Sequence, residues 1–269
     1  MQTITYQGLK INQNIQSSIQ DVLVVEAALQ ININDEPYTV VMRTPDNDQA
    51  LIRGLLFAED IYKSNKALIF EVVKEENEVP TIINVTISKE KLGKGYLNKR
   101  TLLSVSSCGI CGKKELKDIK VEGEKLTKTT TFSSDFLHEM FLKMNSFQHT
   151  FKNSGGSHAA ALFNKNYEFL TVKEDIGRHN AVDKVIGDLL IKDYLNHAKY
   201  LLVSGRVSYE IVSKAFIAKI PIIVAVSACS SLAVDFAKEF GICLIGFTRE
   251  QKMTIYSNPS FVKTTKSDV

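Results

Sequence analysis

Short apolar segments alternate with helical segments in the last third of the chain, and this alternation constrains the fold more than any other feature of the sequence. The apolar segments 200–203, 222–226 and 242–245 predict strands, and the segments 208–218 and 230–239 between them predict helices. A strand–helix–strand–helix–strand order implies a parallel sheet with right-handed crossovers. The sequence therefore predicts an α/β fold for this region.

The carboxyl ends of these three strands are candidate ligand-binding segments, because ligands of such sheets bind beyond the carboxyl ends. The segments are 204–206, 227–229 and 246–249. In the first of them, Ser204, Gly205 and Arg206 precede a predicted helix. A hydroxyl, an arginine and free backbone N–H groups at a helix start can together bind an anion. The segment matches neither a Walker A loop nor the G-x-G-x-x-G pattern, so its motif alone identifies no ligand.

The rest of the chain predicts a β-rich N-terminal portion, a polar loop and further α/β elements. Alternating or β-branched segments predict strands at 22–34, 38–43, 67–74, 79–87, 99–106, 158–163 and 168–173. The hairpin turn between the first two of these strands is expected at 35–37. Apolar spacing predicts helices that open near 44–46, near Ser133 and at 180–191. We therefore expect three parts: a β-rich portion over 1–106, a mobile loop over 107–131 and an α/β domain over 132–269.

Composition and charge exclude several classes of protein. Hydrophobic residues make up 44% and charged residues 23% of the 269 residues, so the chain as a whole is neither disordered nor fibrous. Its formal net charge of +3 is too small to indicate nucleic-acid binding. No segment approaches the ~18 apolar residues that a membrane span needs. Residues 1–20 are polar and show no signal peptide, so we expect a cytoplasmic protein.

Cys108 and Cys111 form a Cys-x-x-Cys pair flanked by glycines in the polar segment, and Lys113 and Lys114 after it favour the reactive thiolate form. Four uses compete for such a pair: a zinc site, a thioredoxin-type redox pair, a relay that carries sulfane sulfur as a persulfide, and surface thiols without a role. Zinc needs about four ligands, and the sequence has no second ligand motif, so we expect no metal. A redox pair normally caps a helix in a βαβ unit, which is not evident here. A loop suits a relay, because the carrier must visit a donor and an acceptor.

Two further motifs combine residue types that suit either ligand binding or local structure. The Gly-Gly pair 155–156 allows close approach of the backbone to a ligand, although an ordinary turn before a strand is the better interpretation of this fragment alone. The segment 174–180 combines two carboxylates with Arg178, His179 and Asn180. An arginine can clamp a phosphate, and a histidine can act as acid, base or hydrogen-bond donor. A capped helix start with a solvated charged face explains the same composition equally well.

Taken in order, these motifs resemble the FdhD family, the formate dehydrogenase accessory sulfurtransferases. The matching segments are SSCGICGK at 106–113, GGSHAAAL at 155–162, EDIGRHNAVDKVIG at 174–187, SGRVSYEIVSKA at 204–215, IPIIVAVSA at 220–228 and LIGFTREQKMTIY at 244–256. The resemblance covers nearly the whole chain. The segment 174–187 is its most specific part, because many polar residues match there without gaps.

The resemblance implies a function. Members of the family accept sulfur from a cysteine desulfurase as a cysteine persulfide. They pass it to the molybdenum of the bis(molybdopterin guanine dinucleotide) cofactor before that cofactor enters formate dehydrogenase. By match of motif, Cys108 would carry the persulfide, with Cys111 as partner or second carrier. The resemblance implies no permanently bound cofactor, since the molybdenum cofactor is bound as a substrate.

The resemblance also implies a fold, an assembly and a binding site. It implies a cytidine-deaminase-like α/β/α sandwich, which agrees with the predicted parallel unit, and a homodimer. The family's cofactor-binding stretch maps onto Phe247, Thr248, Arg249, Glu250, Gln251 and Lys252. Because the cofactor carries several negative charges, we expect further contacts from the glycine-rich and strand-end motifs. These residues are Gly155, Gly156, Arg178, His179, Asn180, Ser204, Gly205 and Arg206.

Two departures from the family pattern and two alternative functions qualify this interpretation. Ser154 stands where the family has Thr, and Cys229 stands where it has Pro. We expect Cys229 and Cys243 to be buried small hydrophobic side chains, although Cys229 near a strand end leaves a minor role in sulfur handling open. The alternative function is a chaperone that holds and delivers the cofactor without covalent chemistry. Zinc-dependent deamination is not supported, because the region 220–235 lacks the P-C-x-x-C pattern of zinc deaminases.

Overall fold

The computed structural model describes residues 2–97, 123–128, 131–249 and 252–263. The strands in these ranges are β1 (Thr3–Asn12), β2 (Ile15–Val24), β3 (Ala27–Ile33), β4 (Glu36–Arg43), β5 (Ile69–Glu76), β6 (Val79–Thr86), β7 (Phe132–Ser133), β8 (His158–Asn164), β9 (Phe169–Asp175), β10 (Ala198–Val203), β11 (Ile222–Ala225), β12 (Cys243–Arg249), β13 (Lys252–Ser257) and β14 (Val262–Lys263). The α-helices are α1 (Asp48–Ala58), α2 (Asp135–Ser146), α3 (His149–Ser154), α4 (Arg178–Ile191), α5 (Tyr209–Ile217) and α6 (Ser231–Phe240). None of these helices is long and apolar enough to cross a membrane.

The central element is a six-stranded sheet in the order β13-β12-β11-β10-β8-β9. Strands β10, β11 and β12 are parallel and are connected through α5 and α6, which confirms the predicted parallel unit. Strand β8 runs antiparallel to both β10 and β9, and β13 runs antiparallel to β12. The start of β8 therefore lies at the same edge of the sheet as the ends of β9, β10 and β11.

Helices cover both faces of this sheet and produce three layers. Helices α4, α5 and α6 pack over one face, whose core includes Leu201 and Ile223. Helix α2 and the short parallel pair β7–β14 cover the other face, where Leu202, Phe132 and Val262 are buried. Because adjacent strand residues are buried on opposite faces, the strands appear in the sequence as continuous apolar runs. The predicted α/β/α sandwich is confirmed.

A second, four-stranded sheet forms the N-terminal portion, in the order β4-β3-β6-β5. One face of this sheet packs on α1 through a core of its own, which includes Leu29 and Ile31 of β3 and Leu51 and Leu55 of α1. The predicted strands 67–74 and 79–87 correspond to β5 and β6. The expected β-rich N-terminal portion is therefore present.

Helix α1 also packs against α4 and so joins the N-terminal portion to the α/β domain. A Cβ atom at Gly54 would lie 2.0 Å from the carbonyl oxygen of Asp183, and one at Gly187 would lie 1.8 Å from that of Ala50. The two helix backbones are thus in direct contact, with no room for a side chain between them. Only glycine is compatible with this crossing.

The hairpin turn that the sequence predicts at 35–37 is wrong by one residue. Asn34 and Asp35 form the turn, with φ angles of 53° and 68°. A two-residue turn of type I′ needs left-handed backbone at both positions, which Asn and Asp adopt more easily than other non-glycine residues. Pro37 lies inside β4, where an edge strand tolerates the missing N–H group.

Several elements differ from the sequence prediction or were not predicted. The predicted strand 22–34 comprises the end of β2 and the whole of β3, and β1 pairs with β2 in a two-stranded ribbon. The strands of this ribbon are largely exposed, so their sequence lacks the alternation of a core-facing strand. Helix α3 and strand β13 were also not predicted. The predicted strand 99–106 and most of the predicted loop 107–131 lie outside the described residues.

Candidate functional site

The motifs that the sequence singles out converge at one edge of the six-stranded sheet. His158 begins β8 opposite Asp175, the last residue of β9. Strand β10 ends beside β11, and the segment after it meets the segment after β11 through a bridge between Val207 and Cys229. Strand β12 continues past the end of β11 and pairs with β13. The parallel topology thus brings together segments that are far apart in the chain.

Gly205 brings three positively charged or titratable side chains near one another. A Cβ atom at this position would lie 3.2 Å from Nδ1 of His158 and 3.5 Å from Cδ of Arg178. A larger residue would push these two side chains away from the segment that carries Arg206. The hydroxyl of Ser204 accepts a hydrogen bond of 2.9 Å from the backbone N–H of Ala159. Ser204 therefore connects the end of β10 to β8.

His158 follows the Gly-Gly pair directly and begins a strand, and the sequence analysis assigned it no role in the site. Burial lowers the pKa of His158 below its usual 6.5, and the positive charges of Arg178 and Arg206 lower it further. Asp175 opposes this shift. The imidazole is therefore neutral at neutral pH, and a bound anion would favour its protonation by offsetting the arginine charges.

Arg178 is half-buried at the start of α4, and one of its polar atoms has no hydrogen-bond partner among the described residues. Its Nε atom is buried, and within the described part of the chain no atom accepts a hydrogen bond from it. A buried guanidinium nitrogen normally has an acceptor. Arg206 lies exposed nearby. The two guanidinium groups offer hydrogen-bond donors to a ligand, and such donors suit a phosphate or another oxyanion.

His179 and Asn180 lie deeper than their neighbour Arg178 and are almost fully buried. Nε2 of His179 lies 2.8 Å from the hydroxyl of Ser208 and 3.0 Å from a carboxylate oxygen of Glu210, which links α4 to the start of α5. The amide of Asn180 donates to the carbonyl of Met42 at 2.8 Å. Both side chains therefore support the frame of the site, and their contact with a ligand stays a prediction.

Asp175 and Lys184 form a buried ion pair that ties the site to the N-terminal portion. Nζ of Lys184 lies 2.7 Å from a carboxylate oxygen of Asp175, and both side chains are fully buried. The carboxylate of Asp175 also accepts a hydrogen bond from the backbone N–H of Thr44, and Lys184 donates to the carbonyl of Thr44. Asn180 donates to the same carboxylate at 2.9 Å. We call Thr44, Asp175, Asn180 and Lys184 the anchoring cluster.

The Gly-Gly pair occupies an ordinary turn whose backbone requires small residues. Gly155 has a φ of 66° and ends α3, and a Cβ atom at Gly156 would lie 2.8 Å from Cγ1 of Val24 in the ribbon. The carboxylate of Glu174 accepts hydrogen bonds from the first turn of α3 and from the hydroxyl of Ser157. These contacts explain both glycines without a ligand. Their predicted role in cofactor binding stays a prediction.

The β12–β13 pair presents an aromatic ring and positive charges at the same edge. Phe247 has a φ of 52°, and its side chain is 51% exposed. The register between the two strands shifts at this point, which marks a bulge. Arg249 and Lys252 are exposed and directly paired across the strands. The hydroxyl of Thr248 is buried and has no partner among the described atoms.

Two of the six residues in this predicted stretch, Glu250 and Gln251, lie outside the described residues. Of the four others, Phe247, Arg249 and Lys252 are exposed at one corner of the sheet edge and combine a planar apolar surface with cationic groups. Such a combination suits a ligand that contains both an aromatic base and phosphates. Left-handed backbone at Phe247 is an unusual feature for a strand residue.

The cysteines fall into two groups. Cys108 and Cys111 lie outside the described residues. Cys243 is fully buried and Cys229 is partly buried, and burial raises the pKa of Cys229 to about 11 and that of Cys243 to about 12. Both thiols therefore stay protonated and poorly nucleophilic at neutral pH. The expectation that they serve as small hydrophobic side chains is confirmed for Cys243, whereas Cys229 is buried only in part and contacts Gly246.

Comparison with known proteins identifies close relatives over most of the chain. The model of the FdhD/NarQ family matches residues 24–263. A sulfur carrier protein FdhD from Picrophilus torridus is 39% identical over 250 residues, which are 90% of this chain and 92% of the relative. Sulfur carrier proteins FdhD from Sulfolobus acidocaldarius and Streptomyces coelicolor are 38% and 35% identical, each over 93% of this chain and over 94% and 92% of their own lengths.

A solved structure shares the fold. A protein from Desulfotalea psychrophila, provisionally described as a formate dehydrogenase accessory protein, superposes with a TM-score of 0.77 at 20% identity. The match covers 98% of this chain and 100% of that one. This similarity extends the agreement from the sequence to the fold.

Proposed function

The chain belongs to the FdhD/NarQ family, and from that premise we propose that it is a sulfur carrier in the maturation of formate dehydrogenase. In this proposal it acts in the cytoplasm as a homodimer. It takes sulfur from a cysteine desulfurase as a cysteine persulfide and transfers it to the bis(molybdopterin guanine dinucleotide) cofactor. The observation that carries the proposal is the match to relatives named as sulfur carriers over about nine tenths of both chains.

Sulfur uptake is assigned to the Cys-x-x-Cys pair. The thiolate of Cys108 attacks the outer sulfur of the donor persulfide, the sulfur–sulfur bond of the donor breaks, and the donor cysteine leaves as a thiolate. Cys108 then holds one additional sulfur as a persulfide, and Cys111 serves as partner or second carrier. No oxidant is needed, because the sulfane sulfur moves from one thiol to another. The raised pKa values of Cys229 and Cys243 favour this assignment, since neither thiol competes as a nucleophile.

Cofactor binding is assigned to the edge of the six-stranded sheet. Arg178 and Arg206 supply cationic donors, and the unpartnered Nε of Arg178 leaves a place for a phosphate oxygen. The exposed ring of Phe247 offers a surface on which a guanine can stack, with Arg249 and Lys252 beside it for the pyrophosphate. Glu250, Gln251 and the remaining predicted contacts belong to the same proposed site.

Mass spectrometry of the intact protein tests the sulfur step. After incubation with a cysteine desulfurase and cysteine, we expect a gain of about 32 Da per transferred sulfur, which a reductant removes. Cys108→Ala should abolish the gain. Cys229→Ala is the matched control and should keep it, because that thiol has a raised pKa. A native chain that gains no sulfur would contradict the proposal.

The alternative function is a chaperone that binds the cofactor without covalent chemistry. The chaperone needs the sheet edge but no thiol. Complementation of a host that lacks the endogenous accessory protein separates the two functions. If Cys108→Ala restores formate dehydrogenase activity fully, the chaperone is correct; if Cys108→Ala fails while Arg206→Ala lowers activity in part, the carrier is correct.

A further inference from the structure

The ribbon formed by β1 and β2 exposes far more apolar surface than an isolated hairpin can stabilise. Every residue from Leu9 to Ser18 is exposed. Large apolar side chains on both strands face solvent, namely Ile4, Tyr6, Leu9, Ile11, Ile15 and Leu23, each of them 42–72% exposed. Two-stranded hairpins are marginal in water unless another element covers an apolar face. The ribbon therefore needs a partner surface that the described part of the chain does not supply.

The base of the ribbon is firmly attached, whereas its tip extends away from the domain. The side chain of Gln2 bonds Asp46 and Thr150, and Val24 packs against Gly156. Ten paired residues per strand correspond to a length of roughly 33 Å. The tip, which we define as residues 9–18, thus lies at the end of the ribbon away from these contacts.

A groove of about 720 Å³ lies at the base of the same ribbon, on the face of the four-stranded sheet that α1 does not cover. Its floor is apolar, and its lining includes Ile4 and Val25 from the ribbon base and Ala28, Val40 and Ile82 from the sheet. Its rim carries Lys74, Glu76 and Glu78, so the rim has a negative net charge.

We propose that the groove at the ribbon base receives the ribbon tip of a second copy of this chain. The tip carries one charge, the positive charge of Lys10, and the rim that would receive it is negative. Because Ile4 lines the groove, two ribbons run side by side in opposite directions, with each tip at the base of the other. A twofold axis then makes both contacts at once and closes the assembly.

The available area is sufficient for such a dimer. Ile4, Tyr6, Ile15 and Leu23 lie on one face of the ribbon, because strand residues alternate between faces and opposite partners share a face. Each of these four side chains contributes on the order of 100 Å², and the ribbon backbone and the groove add to it. The total is comparable with the ~800 Å² per partner that stable complexes bury. Within the described ranges the outer edges of both strands have no strand partner, so they can also pair with the partner ribbon, which would remove an unpaired strand edge.

This inference deepens the homodimer of the proposed function and is tested separately from sulfur transfer. We expect the native chain to sediment as a dimer, and the double variant Ile11→Ser, Ile15→Ser to dissociate with a Kd raised roughly 100-fold. Its far-UV circular dichroism spectrum should match that of the native chain, because both side chains are exposed in the single chain. Leu142→Ser on α2, a residue that is 55% exposed, is the matched control and should remain dimeric.

A charge exchange tests the groove itself. Lys10→Glu and Glu78→Lys should each weaken the dimer about tenfold, and the double exchange should restore it. A photo-cross-linker at position 11, in a mixture of ¹⁴N and ¹⁵N chains, should join isotopically mixed pairs within the segments 25–40 or 74–82. A monomeric native chain, a dimer that the tip variant leaves intact, or cross-links confined to one chain would each overturn the inference. Sulfur uptake by the tip variants, measured by mass, distinguishes loss of the dimer from loss of the carrier function.

Discussion

Where β9 joins α4, the polar side chains of Asp175, Asn180 and Lys184 are buried, whereas the connection from β10 to α5 exposes Arg206 at the same edge of the sheet. In the first, Asp175, Asn180 and Lys184 bond one another and the backbone of the N-terminal portion. In the second, Arg206 faces solvent and Gly205 leaves space for His158. Segments rich in polar residues thus serve two purposes, and the burial of their side chains distinguishes the two. The buried side chains hold two parts of the protein together, and the exposed ones remain available to a ligand.

The largest expected effect is the loss of the anchoring ion pair. Lys184→Met leaves the carboxylate of Asp175 buried without its cation, so we expect a loss of about 3–5 kcal/mol in the free energy of unfolding. Urea denaturation measures it. Lys192→Met, which removes the 56%-exposed partner of Asp188, is the control and should cost at most about 1 kcal/mol. Equal losses in both variants would show that burial does not set the difference.

The crossing of α1 and α4 provides the next largest effect. Gly54→Ala places a methyl group against the backbone of Asp183, so the helices must separate, and we expect a loss of about 3 kcal/mol. Gly155→Ala has open space but keeps a left-handed φ, and we expect a smaller loss of about 1 kcal/mol. Thermal unfolding of both variants compares the steric clash at Gly54 with the backbone strain at Gly155. A larger loss in Gly155→Ala than in Gly54→Ala would mean that the two helices separate at little cost.

A change at the exposed connection should act on binding and leave stability unaltered. Arg206→Ala removes an exposed cation, so its free energy of unfolding should stay within about 0.5 kcal/mol of the native value. Its affinity for GDP, a probe that shares the guanine and the phosphates of the proposed ligand, should fall about tenfold. Isothermal titration calorimetry measures the affinity. Lys165→Ala, an exposed lysine in the β8–β9 turn at the opposite edge, should bind as the native chain does.

The smallest effect concerns pH. The pKa of folded His158 lies below its ordinary 6.5, so as the pH falls the unfolded chain takes up the proton first, and stability decreases below pH 6.5. A bound anion raises this pKa, so binding of sulfate, which does not titrate in this range, should strengthen a few-fold between pH 7 and pH 5.5. NMR of the His158 ring with and without sulfate measures both pKa values. His158→Gln should flatten the dependence; a steep dependence in that variant would assign it to another group.

The elements that bury both faces were predictable from the sequence, and those that depend on a distant partner were not. Strands β10, β11 and β12 contain the continuous apolar runs 200–203, 222–225 and 243–247, so their pattern is visible locally. The ribbon strands are exposed, and β13 acquires its role only by pairing with β12. Their sequences carry too little local signal.

The same distinction applies to the candidate site. Its position at the carboxyl ends of the strands follows from the predicted topology. The roles of Asp175 and Asn180 do not, because their partners Met42 and Thr44 are distant in the chain. His158 was assigned no role because a single histidine before an apolar strand resembles many structural histidines. Its significance depends on the neighbouring arginines, which only folding brings close.

The pairing of β7 with β14 determines how late in synthesis the core on one face of the sheet can be completed. Phe132 is synthesised early in the α/β domain, whereas Phe261 and Val262 are synthesised after all six strands of the six-stranded sheet. All three lie in the same core. Until the last of them leaves the exit tunnel, the nascent domain presents an apolar patch on one face of its sheet, where a chaperone can bind. The core on this face is therefore completed only after residue 262 has left the exit tunnel.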